Sequence, residues 1–253
     1  MKYTIFVPIS REHLAPKVIQ NLLNLEFPVD QTEVIIYLDT DNITFIDQTT
    51  KALEYLKEKR EIVARMIISG EKPLADDAPL IMRRQRVMSV WNKMKEKVGD
   101  TKYFFGFEDD MIIPSDAFNK LMLHVELGAY YAEGVARHRQ FNSIGAWRMT
   151  RKTARTLQYQ SAGKDWIDGG GWYCFATRTE FVKKARIRED GAPFGPDVCF
   201  VYDLVKQGNK RNLALIDWSV KCGHIVDGEA LYADENSGQL FFNKVKGDWE
   251  RKE

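Results

Sequence analysis

The sequence predicts an α/β fold, with a mainly parallel central sheet and helices on both faces. Three observations carry this expectation. Strand and helix patterns alternate through the first hundred residues, the strands are short apolar runs, and acidic or hydroxyl residues follow directly after several of them.

Tyr3 to Val7 is a run of aromatic and β-branched residues stopped by Pro8, and Leu14 to Leu25 spaces its apolar residues as a helix does. Glu33 to Leu38 reads as a second buried strand, ended by Asp39-Thr40-Asp41-Asn42. Phe45 to Arg60 is an amphipathic helix, Ile62 to Ile68 a third strand, Leu80 to Val98 another long helix and Tyr103 to Phe107 a fourth strand. Repeated βαβ units of this kind form a parallel sheet. Beyond residue 115 the pattern loosens: a helix over Asp116 to Tyr131, a strand over Cys174 to Thr177, a short helix over Glu180 to Ala185. A further helix runs from Pro196 to a closing Gly208, and an apolar strand from Leu213 leads to His224.

At 253 residues the chain is long enough for one large core without staples. Its 37 basic and 36 acidic residues nearly balance, which argues against a protein whose main partner is a polyanion, so no obligate nucleic-acid partner is expected. Cys174, Cys199 and Cys222 lack CxxC spacing, against a disulfide framework or a zinc site and in keeping with a reducing compartment. The amino-terminal apolar run is far shorter than a signal peptide or a membrane span. A soluble, cytoplasmic protein without a transmembrane segment is the expectation.

The stretch Tyr103-Phe-Phe-Gly-Phe-Glu-Asp-Asp-Met-Ile-Ile-Pro114 organises the rest. Apolar residues lead into Glu108, Asp109 and Asp110 and out again. Carboxylates this close raise each other's pKa unless a cation compensates, and oxygen ligands select Mg²⁺ or Mn²⁺. In parallel sheets ligands collect at the carboxyl ends of strands, so Pro8, Ser10, Asp39 with Asp41, and the acidic triplet are expected along one rim. Arg83, Arg84 and Arg86 lie near the start of a helix, where cations oppose the macrodipole and an anion such as a diphosphate would remove the conflict. No Gly-rich GxGxxG or P-loop fingerprint occurs, which weighs against a dehydrogenase or a P-loop NTPase. Asp168 and three adjacent glycines including Gly170, flanked by Trp166 and Trp172, read as a loop built against a ligand ring. Asp197 sits near a helix start, and His224 follows an apolar strand from which an imidazole could reach a metal held by Asp110.

Taken in order, Phe107-Glu108-Asp109-Asp110, Gly195-Pro196-Asp197-Val198 with Gly208, and Val220 to His224 resemble the nucleotide-sugar glycosyltransferases of the GT-A fold, closest to family 2, over about Thr4 to His224. The resemblance implies a GT-A (Rossmann-like) mixed, mainly parallel sheet and a DXD-type acidic motif. It implies Asp110 and His224 as ligands of Mn²⁺ or Mg²⁺, with Glu108 or Asp109 reaching the ribose. By the same resemblance Asp39 would contact the base, Pro8 and Ser10 would lie by the nucleotide, and Arg83 or Arg84 would face the diphosphate. Asp168, Gly170 and Trp172 would line the sugar and acceptor pocket, and Asp197 would deprotonate the acceptor hydroxyl. Members of the family commonly carry Glu-Asp where this chain has Pro196-Asp197, so inversion is favoured only slightly over retention.

The implied activity is metal-dependent transfer of a sugar from a UDP- or GDP-type donor to a hydroxyl acceptor. The alternatives are a catalytically silent nucleotide-sugar binding protein, or, less favoured, a nucleotidyltransferase, which needs a second acidic set converging on the first, and no compelling one stands out in the sequence. The expected organisation is one domain over 1–226, with a nucleotide-binding half at 1–114 and an acceptor and sugar half at 115–226. Residues 227–253 would follow as a tail, in the role of lid, oligomer contact or membrane-surface helix.

Overall fold

A computed structural model describes residues 1–75, 78–139, 141–150, 152–188, 194–208, 213–244 and, by backbone, 248–251. Its first half follows the expected alternation: β1 (Tyr3–Ile9), α1 (Ala15–Asn24), β2 (Thr32–Leu38), α2 (Ile43–Arg60), β3 (Val63–Ile68), α3 (Leu80–Lys97) and β4 (Tyr103–Phe107). β1 runs on through Pro8 to Ile9 rather than stopping at the proline. Asn42 begins α2 by accepting the amides of Thr44 and Phe45, the cap that opens a helix with least strain.

The second half comprises β5 (Met111–Ile112), α4 (Ala117–Glu126), β6 (Tyr131–Val135), β7 (Trp147–Met149), β8 (Thr153–Thr156), β9 (Lys164–Trp166), β10 (Cys174–Arg178), α5 (Thr179–Lys184) and α6 (Pro196–Gln207). It closes with β11 (Ala214–Lys221), β12 (Gly223–Val226), β13 (Glu229–Leu231), β14 (Leu240–Asn243) and β15 (Asp248–Arg251). The helix expected over Asp116 to Tyr131 stops at Glu126. Gly128, at φ +113°, turns the chain out of the helix, and the aromatic Tyr130-Tyr131 pair then opens β6.

The main sheet has eight strands in the order β3-β2-β1-β4-β10-β6-β11-β9. β3, β2, β1 and β4 are parallel, as are β6 and β11, while β10 and β9 are antiparallel to their neighbours. The two faces follow strand alternation. Ile5, Val7, Ile36, Phe105 and Phe107 pack against α1, α2 and α4, and Phe6, Ile35, Tyr37, Phe104 and Phe175 against α3, α5 and α6. The sheet is therefore mixed and mainly parallel, with helices on both faces.

The described residues of the tail form strands and turns, not a helix. Asp227 (φ 51°) and Gly228 (φ 85°) make a two-residue turn between β12 and β13, and β14 pairs with β8 in a smaller sheet of order β15-β14-β8-β7. Leu240 and Phe242 are buried there with Trp147, Ala154 and Val198. Residues 245–247, 252 and 253 of the expected tail lie outside the described residues. Among the described residues no helix is long and apolar enough to cross a membrane.

Candidate active site

Parallel strands end on one side of a sheet, and here that geometry gathers the polar residues. Ser10 and Arg11 follow β1, Asp39 follows β2, Glu108 to Asp110 follow β4, Arg137 to Arg139 follow β6 and His224 comes after β11. β10 runs the other way, so the loop that precedes it, Asp168 to Tyr173, opens on the same rim. β5 then pairs with β12, His224 opposite Met111, and the Ile225 amide donates to the Asp110 carbonyl at 2.7 Å.

Asp110 is at the centre. Its side chain is nearly inaccessible, its Oδ2 lies 3.0 Å from His224 Nε2 and accepts from Arg11 Nη1 at 2.8 Å, and its Oδ1 is buried without a partner. Burial alone would raise this carboxyl. The His224 ring and the Arg11 guanidinium outweigh burial and hold it below the usual carboxylate range. His224 Nδ1 faces the Arg137 carbonyl at 3.0 Å, a contact that fixes the ring's orientation. Arg139 stands 3.9 Å from Asp110 at the exposed side.

Asp109 points back into the protein. Its Oδ2 accepts the amides of Ser10 (2.8 Å) and Arg11 (3.1 Å), and its Oδ1 is paired with the Arg11 guanidinium. Expected at the ribose, it instead latches the loop after β1, because a buried carboxylate is best satisfied by amides and a guanidinium. Arg11, which the sequence reading passed over, thus bridges Asp109 and Asp110 and supplies a compensating cation from the chain itself. Glu108 is pushed well above the ordinary carboxylate range by burial and by Asp110 and Asp197, against the pull of Arg11.

Asp39 is buried at the end of β2. One oxygen accepts from Arg86, which also pairs with Glu71, and the other has no partner. Arg86, rather than Arg83 or Arg84, is the arginine that meets Asp39. Arg84 instead acts on Asp197, and Arg83 keeps a buried Nε without a hydrogen-bond partner. Pro8 is half-buried within β1, and Ser10 is exposed beside Asp109.

Asp197 lies in the first turn of α6. Burial pushes its carboxyl up to about 6, against the Val198 and Asp197 amides and the positive charge of Arg84. Asp168 accepts the Met149 amide at 2.9 Å and so ties its loop to β7. The three glycines that follow are required by the protein's own packing rather than by a ligand ring. A Cβ on Gly169 would stand 2.8 Å from Val198 Cγ1, on Gly170 2.2 Å from Glu133 Oε2 and on Gly171 2.1 Å from Tyr173 Cε2. Trp172, expected to face an acceptor, is 1% exposed, with its ring 4.1 Å from that of Trp91 in the core; two large apolar rings gain more by packing together than by facing water.

Among the described residues no three His, Cys, Asp or Glu side chains form a ready metal site, and Asp110 with His224 is the pair available. Glu133, buried on β6 beside Gly170, was also missed, because the expected helix ended at Tyr131 and no strand was expected after it.

No family model matches the chain, and no curated protein matches it in sequence. Among solved structures it is similar to residues 1–349 of S. aureus TarS, at 13% identity and a TM-score of 0.51, over 92% of this chain and 60% of that one. It is also similar to the mannosyltransferase PcManGT from Pyrobaculum calidifontis, at 12% identity and a TM-score of 0.53, over 85% of this chain and 56% of that one. The chain thus spans less than two thirds of either structure. At such identities the likeness is one of architecture, and with the eight-stranded sheet described above it establishes that this chain has a GT-A-like glycosyltransferase fold.

Proposed function

We propose that the protein transfers a sugar from a nucleoside diphosphate sugar, of UDP or GDP type, to a hydroxyl acceptor. The carrying observation is that Asp110, with a bare buried oxygen, meets His224 and the guanidinium of Arg11 at one rim, while the Asp197 carboxyl acts on the neighbouring Glu108. Support also comes from the fold, which PcManGT, solved with GDP-Man and Mn²⁺, and TarS 1–349, solved with UDP, share.

Asp110 Oδ1 and His224 Nε2 fit Mn²⁺ or Mg²⁺. One carboxylate and one imidazole, with diphosphate oxygens and water completing the shell, is an ordinary donor set for such an ion, and the buried oxygen without a partner is the atom a cation would satisfy. When bound, the ion stabilises negative charge on the leaving diphosphate. Arg11, Arg84 and Arg139 add fixed positive charge for the same phosphates. The free Asp39 oxygen can accept one N–H of a nucleobase. Glu108 is assigned to the ribose and Asp168 to the edge of the sugar pocket. Asp197, ionised above pH 6, takes the proton of the attacking hydroxyl, which favours inversion. Free thiols at Cys174, Cys199 and Cys222 suit a reducing, cytoplasmic setting.

A second reading, a nucleotide-sugar binding protein without turnover, draws on Arg11, whose guanidinium already occupies the place of a compensating cation between Asp109 and Asp110. Thermal unfolding with UDP, GDP and their sugars, each with and without Mn²⁺, separates the two when combined with an assay for nucleotide release. The proposal expects Mn²⁺-dependent stabilisation and turnover, both lost in Asp110→Asn with the circular dichroism unchanged. Stabilisation without turnover would favour the second reading, and no stabilisation by either nucleotide would refute both.

A further inference from the structure

We infer that Glu133 is a protonated positioning residue that, with Tyr131, clamps the glycine loop beneath the first turn of α6 and so holds Asp197 in place. The inference rests on the reading of Asp197 as the base, but its core is a count of protons.

The Tyr131 hydroxyl lies 3.0 Å from Glu133 Oε2 and also hydrogen-bonds the Gly171 carbonyl. A hydroxyl has one proton to give. The carbonyl can only accept, so Tyr131 donates to Gly171, and the remaining contact is donated from the other side by a carboxylic acid on Glu133. The Gly171 amide hydrogen-bonds the Glu133 carboxyl in turn. The side chain is 2% exposed, and the titratable groups that face it are Tyr131 and Tyr173, Cys174 on β10, Cys222 after β11 and Asp197 on α6. None of these is a cation, so an ionised Glu133 would be both desolvated and repelled by Asp197. Burial accordingly raises this carboxyl well above the usual range.

The mechanical link runs through the glycines. Gly170 is so close to Glu133 that no side chain fits between them, and Gly169 touches Val198, the residue after Asp197. Displacing the loop would therefore move the turn that carries the base.

The experiment compares the full-length wild type with Glu133→Gln and Glu133→Leu. Infrared spectra near neutral pH should show the C=O stretch of a buried carboxylic acid in the wild type that is missing from Glu133→Gln. An amide supplies one donor and one acceptor as the protonated acid does. Glu133→Gln should therefore keep kcat within about threefold, with the pH midpoint unmoved, whereas Glu133→Leu should lower kcat by about tenfold or more at little changed KM. It should also speed amide exchange at Asp168 to Gly171.

A missing infrared band overturns the inference, as does loss of turnover in Glu133→Gln as complete as in Glu133→Leu. If Glu133→Leu fails to fold, the infrared difference and the Gln variant still decide. If the wild type turns over no donor, the functional reading fails while infrared and exchange still decide the state of Glu133.

Discussion

Asp197→Asn should make the protein more stable and less active. A carboxyl moved from the ordinary 3.8 up to about 6 binds its proton more tightly in the folded state than in the unfolded chain. Stability from this group is therefore greatest at low pH, is lost as pH rises from about 4 through 6, and stays lost above. The full displacement corresponds to about 3 kcal/mol. Asp197 keeps part of its surface, so solvent screening reduces this to about 1–2 kcal/mol. An asparagine keeps the oxygen that accepts the Val198 amide but cannot ionise. At pH 8 the variant should unfold about 2–6 °C above the wild type, and near pH 4 the difference should vanish. Its donor turnover should fall by about 10² or more, because removing a general base costs about that much. In the wild type the same ionisation should make turnover fall about tenfold between pH 7 and pH 5. Paired melting curves at the two pH values and a nucleotide-release assay read all three quantities. A variant less stable at pH 8, or one as active as the wild type, would refute the assignment of both the burial and the role.

Other perturbations probe other parts of the rim. Arg11→Met removes the guanidinium between Asp109 and Asp110 and should cost about 3–5 kcal/mol in urea unfolding, and Mn²⁺ should raise the melting temperature of the variant more than that of the wild type. Gly170→Ala places a methyl 2.2 Å from Glu133 Oε2 and should destabilise by about 1–3 kcal/mol, whereas Gly163→Ala, with open space around it but φ +92°, should cost only its backbone strain of about 1 kcal/mol. Phe242→Ala empties a buried site between β14 and α6 and should cost about 3–5 kcal/mol; a loss below 1 kcal/mol would show that the carboxyl-terminal strands do not share the core.

Much of this arrangement was legible in the residues. The strand and helix sequence of the amino-terminal half is local: apolar periodicity, the capping Asn42 and the stop at Gly70 all act within a few residues of where they stand. Because parallel strands end on one side, the placing of Ser10, Asp39 and Asp110 on one rim followed from the pattern as well. The Asp227-Gly228 turn also had a local signal, the Asp-Gly dipeptide of a tight hairpin, which the reading of a tail overlooked.

Other features depend on partners far along the chain. β10 enters between β4 and β6 in reverse, and only that placement carries the glycine loop to the rim and sets Gly170 against Glu133. Arg11 meets Asp109 and Asp110 across nearly a hundred residues, so its role as their counter-ion is invisible to spacing. Trp172 illustrates the same limit, since an aromatic beside glycines reads as a ligand platform until Trp91 is found against it. Local order determines what a segment can become, because periodicity, caps and turns are short-range. Which charges are compensated, and by whom, was decided by the fold, because desolvation and Coulomb energy depend on the distances that only tertiary packing sets.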